Sequence, residues 1–145
     1  MAGPAPRGGR VSTGPLRATC PCGSGAAYDA CCGRLHRGAA RAETPEELMR
    51  SRYAAFAVGD AAYLFRTWHP RTRPDDVELD PATVWTGLEV LSAGADDVAF
   101  VARYERHGHP GEQREHSRFV RRAGRWVYLD GSGGDHGGDH GGAGG

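Results

Sequence analysis

The feature that most constrains this chain is the spacing of its cysteines, all of which fall between positions 20 and 32. Cys20, Cys22, Cys31 and Cys32 form a C-x-C-x8-C-C pattern. Four thiolates at about 2.3 Å satisfy the tetrahedral preference of Zn²⁺ and leave no coordination position open for a substrate. The sequence therefore predicts one structural zinc ion per chain, held by a small knuckle at residues 20–36.

Two other uses of these cysteines are disulfides and buried free thiols. The Cα atoms of adjacent residues lie about 3.8 Å apart, below the usual disulfide range, which disfavours a bridge between Cys31 and Cys32. His36 follows Cys32 by four residues and is an alternative fourth ligand. The turn Gly23-Ser24-Gly25 is expected to let backbone N–H groups approach the sulfurs. A knuckle this small has no core, so we expect its folding to depend on the metal.

Length and composition leave room for one main core beside the knuckle. The chain has 145 residues, the size of a single domain. Residues 1–19 and 132–145 contain almost no large apolar side chains and are predicted to be disordered. His136 and His140 in the glycine-rich tail are weak alternative metal ligands. No membrane-spanning or secretory segment is evident, so the expected location is the cytoplasm.

Charge argues against a general attraction to nucleic acid. The chain carries 18 basic and 18 acidic residues, and a net charge near zero does not imply a general electrostatic attraction to nucleic acid. The N-terminal segment is locally basic, which leaves nucleic-acid binding by that segment as a less favoured alternative.

Two helices are predicted after a basic linker at residues 34–42. Thr44 and Glu47 form a capping box for the first helix, Pro45 suits its first turn, and Gly59 suits a left-handed C-terminal residue. Asp60 is a cap for a second, shorter helix that ends before His69-Pro70.

Four strands are predicted beyond residue 84, at residues 85–91, 98–106, 114–121 and 125–129. They alternate apolar and polar residues and are separated by glycine-containing turns. Helices followed by an antiparallel meander predict an α+β fold, with the helices packed on one face of a curved sheet.

The cysteine segment resembles the SEC-C motif, a zinc-binding segment found at the C-terminus of the preprotein translocase ATPase SecA and in other bacterial proteins. The resemblance rests on CPCGSGAAYDACCG, which matches at the four ligand positions and the Gly-Ser-Gly turn. It implies a docking role toward a protein partner, such as the ribosome or a SecB-like export chaperone. The motif is usually rich in lysine, whereas this chain has Ala26 and Ala27 at positions where lysines are common.

The remainder resembles the YchJ-like family of uncharacterised bacterial proteins. The resemblance rests on residues 44–56, on Thr67-Trp68-His69-Pro70, and on residues 117–119 and 124–131. It implies a nuclear transport factor 2-like domain at residues 44–131, a cone of helices around a curved sheet. Such cones often enclose a pocket, and they often dimerise through the open sheet face.

Several side chains are candidates for lining a pocket in the cone. They are Tyr53, Trp68, His69, Trp85, His116 and Arg118, with Asp130 as a further candidate. His116 beside a carboxylate could act as a general base. The sequence contains no recognisable set of nucleophile, base and oxyanion donor, which favours a role other than catalysis without excluding an enzyme.

The sequence thus favours a cytoplasmic zinc-binding adaptor whose knuckle docks a protein partner. The alternative is a small-molecule-binding protein or enzyme that uses the pocket of the cone.

Overall fold

The computed structural model describes residues 18–137, and for residues 134–137 it describes the backbone alone. Most of the predicted N-terminal arm and residues 138–145 of the tail, including His140, therefore lie outside the described residues. The helices are α1 (Cys32–His36), α2 (Pro45–Val58) and α3 (Ala61–Arg66), preceded by a 3-10 turn at Tyr28–Ala30. The strands are β1 (Thr83–Ala93), β2 (Asp97–Arg106), β3 (His109–Arg122) and β4 (Arg125–Gly137).

The four strands form one antiparallel meander in the order β1-β2-β3-β4. The α+β prediction is confirmed, although each strand is longer than its sequence pattern indicated. β3 already starts at His109, inside the segment predicted to be a turn. Helix α2 packs on one face of this sheet, where Leu48 and Met49 contact Val98 and Phe119 in the main core. Helix α3 packs against α2, with Tyr63 and Leu64 in a buried cluster with Ala55.

Helix α2 begins and ends at its predicted caps. The Thr44 side chain accepts a hydrogen bond from the Glu47 N–H at 3.1 Å. The Glu47 carboxylate reaches back to the N–H of Glu43, at 2.8 Å, one residue before the cap. Gly59 ends the helix in the left-handed region at φ 85°. Asp60 then caps α3 by accepting from the Tyr63 N–H at 3.0 Å.

Two segments are more ordered than the sequence predicted. The linker assigned to residues 34–42 begins inside α1, which continues to His36. The tail was predicted to be disordered from residue 132, whereas β4 continues to Gly137 and pairs with β3 as far as Gly111. Backbone hydrogen bonds to an existing strand order this segment although it has little apolar area to bury.

A bulge divides β4 into two parts of different register. Arg118 pairs with Asp130, but its neighbour Phe119 pairs with Tyr128, so Leu129 is an extra residue in β4. Such a bulge changes which side chains point to each face of the sheet and bends the strand. Within residues 18–137, no helix has the length and apolar character needed to cross a membrane.

Candidate functional site

The four cysteine sulfurs meet in one cluster. Their Sγ atoms all lie within 4.8 Å of one another, and those of Cys22 and Cys31 are 3.6 Å apart. A tetrahedron with metal–sulfur bonds of about 2.3 Å requires sulfurs about 3.8 Å apart. The cluster is therefore close to the required dimensions, and these four residues could hold a metal ion.

The loop between the two cysteine pairs is fixed by short-range backbone contacts. Thr19 forms an antiparallel bridge with Ala27, and the Cys20 N–H donates to the Ala26 carbonyl at 2.8 Å. Gly23 and Gly25 both adopt positive φ, at 85° and 87°, which other residues rarely tolerate. This conformation brings the Ser24 hydroxyl to 3.2 Å from the Cys31 sulfur.

Close approach of the sulfurs perturbs their protonation. The hydrogen bond with Cys22, together with burial, raises the pKa of Cys20 to about 11. The hydrogen bonds from Cys20 and Cys32, with smaller contributions from the Ser24 hydroxyl and N–H, lower the pKa of Cys22. Hydrogen bonds with the sulfurs of Cys20 and Cys22, together with burial, raise the pKa of Cys32. Without a cation, few of these thiols can therefore be ionised at the same time, and a bound metal ion would compensate the charge of the thiolates.

His36 is not part of this cluster, so the alternative of a histidine ligand is wrong. Its Nε2 donates to the Ser51 carbonyl at 2.8 Å, and its Nδ1 is 2.5 Å from the Tyr28 hydroxyl. Because a carbonyl can only accept, Nε2 carries the proton and Nδ1 accepts from Tyr28. Burial lowers the pKa of His36 and favours this neutral form.

The knuckle is packed firmly against helix α2. Cys20, Cys22 and Cys32 share a buried cluster with Tyr28 and Ala54.

Polar contacts also join the knuckle to helix α2. The Arg50 guanidinium donates to the Cys22 carbonyl at 2.7 Å, and Arg34 pairs with Glu47 at 2.5 Å. The knuckle is thus part of the same packed structure as the cone.

A cavity of about 310 Å³ lies between helix α2 and the inner face of the sheet. It is lined by Met49, Arg52, Tyr53, Phe56, Trp68, Trp85, Phe100, Ala102, Gln113, Glu115, Ser117, Phe119 and Tyr128. The structure brings three of the sequence-predicted candidates, Tyr53, Trp68 and Trp85, to this cavity.

The polar candidates lie elsewhere. His116 and Arg118 are exposed on the opposite face of β3. The ring of His116 contacts Asp97 at 2.7 Å, and Arg118 donates to Asp130 at 2.6 Å and 2.8 Å. The backbone N–H of His69 donates to the Tyr128 carbonyl at 2.8 Å. None of the side chains of His69, His116, Arg118 and Asp130 lines the cavity. Strand alternation turns His116 and Arg118 to the outer face and the β4 bulge places Asp130 beside Arg118, whereas His69 lies outside the strands.

Sequence reasoning missed the cavity's charged residues, Arg52 and Glu115. Both could have been found from periodicity. Arg52 lies within the apolar stripe of α2 between Met49 and Tyr53, and Glu115 alternates with Ser117 on the inner face of β3. A charged residue within an otherwise apolar face is a signal of a polar site.

Arg52 is 6% exposed. Its Nη1 donates to the Leu64 carbonyl at 3.0 Å and to the Thr67 hydroxyl at 2.7 Å. The guanidinium carbon lies 5.0 Å from the centre of the Trp68 ring and 4.6 Å from that of Tyr128. Burial lowers the pKa of Arg52 to about 10, so it remains charged at neutral pH.

Glu115 lies at the hydroxyl end of Tyr128, the residue whose ring face is in contact with Arg52. Its Oε2 accepts from the Tyr128 hydroxyl at 2.9 Å and from the Ser117 hydroxyl at 2.8 Å. Its Oε1 has only a long contact, at 3.4 Å, with the Gln113 amide. One carboxylate oxygen is thus well satisfied by the protein, while the other has spare capacity to accept a hydrogen bond.

Two family models match this chain. The first, the middle nuclear transport factor 2-like domain of YchJ, matches residues 44–131. The second, the SEC-C motif, matches residues 18–34. The two matches agree with the division between the cone and the knuckle.

Curated relatives cover most of the chain. A UPF0225 protein of Streptomyces avermitilis is 51% identical, over 84% of this chain and 89% of that protein. A UPF0225 protein of Deinococcus radiodurans is 53% identical, over 77% of this chain and 86% of its own length.

Two solved structures are similar. The solution structure of a SEC-C motif containing protein from Rhodopseudomonas palustris matches with a TM-score of 0.70 and 38% identity, covering 79% of this chain and 97% of that one. The crystal structure of a SEC-C motif containing protein from Psychrobacter arcticus matches with a TM-score of 0.68 and 28% identity, covering 80% of this chain and 82% of that one.

Proposed function

Because this chain belongs to the YchJ-like family of SEC-C motif proteins, we propose that it is a zinc-binding adaptor whose knuckle docks a protein partner. Cys20, Cys22, Cys31 and Cys32 hold one structural Zn²⁺, since four thiolates fill its coordination sphere. The ion keeps the knuckle folded and supplies no chemistry to a substrate.

The observation that carries the proposal is the two-sided character of the knuckle. One side is buried against Ala54 of helix α2. The other side, residues 23–27, is exposed and is held in one conformation by the bridge between Thr19 and Ala27. A rigid exposed loop loses little conformational entropy on binding, which favours its use as a docking surface.

Charge favours a protein partner over nucleic acid. Arg37 pairs with Asp29 at 2.6 Å and Arg34 pairs with Glu47, so acids of the chain itself offset these two basic residues of the knuckle. We propose a ribosome or a SecB-like export chaperone in the cytoplasm as the partner, on the strength of the SEC-C motif.

The test uses purified ribosomes and a purified export chaperone with the zinc-loaded chain. Replacing exposed Ala26 and Ala27 by Glu adds charge to the docking loop without touching a metal ligand. We expect this double variant to lose binding, measured by co-sedimentation with ribosomes or by pull-down with the chaperone. The matched control is Ala62→Glu with Ala123→Glu, which adds the same charge at two exposed positions outside the knuckle and the edge strand β1 and should bind as wild type. Equal binding by all three proteins would overturn the docking proposal.

Small-molecule binding by the cone is a second candidate function. The observation that favours it is the cavity beneath α2, in which Arg52 and Glu115 lie among aromatic side chains. A largely apolar cavity with a few polar groups is the usual form of a ligand site.

We also propose a homodimer through the sheet. Val84 and Leu91 on the edge strand β1 are 59% and 51% exposed, which gives that edge apolar surface for a second copy. A molar mass by light scattering that halves in Val84→Glu would support this arrangement, and a wild-type monomer would overturn it.

A further inference from the structure

The inner cavity is lined by two charged groups of opposite sign, which both contact the side chain of Tyr128. Arg52 contacts one part of the Tyr128 side chain, the ring face, while Glu115 contacts its hydroxyl. The two charges balance, so the cavity is electrically neutral but strongly polarised. A complementary ligand carries a negative group that meets Arg52 and a positive group that meets Glu115.

The guanidinium of Arg52 has donors to spare. Both of its hydrogen bonds to residues 18–137 come from Nη1, so Nε and Nη2 have no acceptor among them. Neither nitrogen is fully enclosed, because Trp68 Nε1 is the one enclosed side-chain nitrogen or oxygen without a partner in the described part of the chain. Nε and Nη2 together form the edge that binds a carboxylate with two parallel hydrogen bonds. A carboxylate there would also compensate a positive charge that is otherwise expensive to bury.

Glu115 supplies the opposite group. Its Oε1 receives only the long contact from Gln113 at 3.4 Å, although an ionised carboxylate oxygen accepts two hydrogen bonds readily. An ammonium group on the ligand would satisfy this oxygen and pair with its charge. Ser117 and Tyr128 would continue to hold the other oxygen in place.

The remaining walls set the size and character of the rest of the ligand. Tyr53 and Phe56 each contact Trp85 at 5.9 Å between ring centres, and Phe100 and Phe119 complete an aromatic lining. The volume of about 310 Å³ lies at the lower end of the range of small-molecule sites, about 300–1,000 Å³. The space suits one compact molecule with an apolar side chain.

We propose that the cavity binds a zwitterionic amino acid with a large apolar or aromatic side chain. Arg52 takes its carboxylate, Glu115 takes its ammonium group, and the aromatic walls take its side chain. This inference rests on the second proposed function, ligand binding by the cone, and names the ligand class.

The first experiment measures binding to the full zinc-loaded chain by calorimetry and thermal unfolding. The probes are L-leucine, L-methionine, L-phenylalanine, L-tyrosine and L-tryptophan. Two fragments of phenylalanine accompany them: 3-phenylpropanoate, which lacks the ammonium group, and 2-phenylethylamine, which lacks the carboxylate. At least one amino acid should bind, and if it is L-phenylalanine each fragment should bind about tenfold or more weakly, the loss expected for one charged hydrogen bond. Absence of binding by all five amino acids, or 2-phenylethylamine binding better than L-phenylalanine, would overturn the inference.

Variants assign the two ends of the ligand. Glu115→Gln should weaken amino-acid binding about tenfold or more while leaving 3-phenylpropanoate unaffected. Arg52→Lys should weaken both, because lysine lacks the paired donors. His116→Gln changes the next residue of β3, on the outer face, and should bind as wild type. If Arg52→Lys does not fold, Glu115→Gln alone decides, since the glutamine keeps the same shape and can still accept from Ser117 and Tyr128. Wild-type affinity in Glu115→Gln would overturn the inference.

The docking proposal can fail separately. The double variant Ala26→Glu, Ala27→Glu should bind the amino acid normally, because the loop does not line the cavity. Loss of partner binding with retained amino-acid binding supports both proposals. Retention of both partner binding and amino-acid binding overturns the docking proposal alone.

Discussion

At the scale of single residues, the junction between knuckle and cone depends on a chain of buried hydrogen bonds. Tyr28 donates to His36, which donates to the Ser51 carbonyl. The Ser51 hydroxyl in turn lies 2.7 Å from that of Tyr63, whose ring packs 4.6 Å from His36. Each of these polar groups is satisfied by another, so removal of one leaves a buried partner unpaired.

Replacing Tyr28 by Phe should therefore destabilise the protein. The variant keeps the ring but removes the donor to His36 Nδ1, and leaving a buried acceptor unpaired costs about 1–3 kcal/mol. The free energy of unfolding, measured in guanidinium chloride with zinc bound, checks this. A change below about 0.5 kcal/mol, typical of exposed positions, would contradict the assigned hydrogen bond.

His36 also predicts how stability depends on pH. Burial, assisted by Arg66 and opposed by Asp60 and the hydrogen bond to Ser51, lowers the pKa of His36 in the folded protein. The unfolded chain then binds a proton more readily, so the contribution of His36 is complete above about pH 6.5 and decreases as pH falls below it.

The measurement compares wild type with His36→Gln between pH 7.5 and 5.5. Protonation of the four clustered cysteines affects both proteins, so the difference in stability between them isolates the histidine. The stability advantage of wild type should shrink toward low pH by up to about 1.4 kcal/mol per pH unit. A difference that grows as pH falls would mean that the folded protein prefers charged His36.

At the scale of elements, local signals fix helix α2 more firmly than any strand. Thr44 caps its start and Gly59 ends it with a positive φ of 85°. Glycine-containing turns separate the strands, but they do not set how far each strand extends, and the extra length comes from pairing with neighbours. β3 starts opposite Arg106 and β4 continues opposite Gly111.

Gly59→Ala should destabilise the protein by about 1 kcal/mol, because a Cβ is unfavourable at positive φ. The site offers open space around that Cβ, so the loss is conformational and not steric. Gly87→Ala is the matched control, since Gly87 also has open space and lacks a positive φ. Thermal and chemical unfolding of both variants test this prediction, and equal stability of the two would contradict it.

At the scale of the whole molecule, knuckle and cone should unfold together. Cys20, Cys22 and Cys32 contribute to the cluster around Ala54, and Arg50 binds the Cys22 carbonyl. Loss of the metal would therefore disturb the first helix of the cone as well as the knuckle.

If the cysteine cluster holds zinc as proposed, a chelator should lower the melting temperature of the entire chain in one cooperative transition, because the binding energy of a structural metal is folding energy. Calorimetry with and without a chelator, accompanied by tryptophan fluorescence, provides the measurement. Trp85 and Trp68 report on the cone, so an unchanged fluorescence transition after metal removal would show that the knuckle is an independent unit.

Much of the candidate metal site and of the fold class could be predicted from the chain alone. Ligand spacing identified all four cysteines of the cluster, because a turn of a few residues brings them together without help from the rest of the protein. Capping signals predicted helices α2 and α3, because caps also depend only on residues that are close together in the sequence. The alternative ligand His36 was wrong because its surroundings come from Tyr28 and from Ser51 of α2, which spacing does not reveal.

The cavity, by contrast, was decided by tertiary structure. Regular alternation would place Tyr128 and Asp130 on the same face of β4. The extra residue Leu129 separates them, so Tyr128 enters the cavity beside Glu115 and Asp130 pairs with Arg118 outside. The sequence by itself determined the cluster of thiols, the helix ends and the fold class, because these follow from spacing and local conformation. Strand register and the bulge decided which charges face the cavity, because pairing between distant segments sets the direction of every side chain in a sheet.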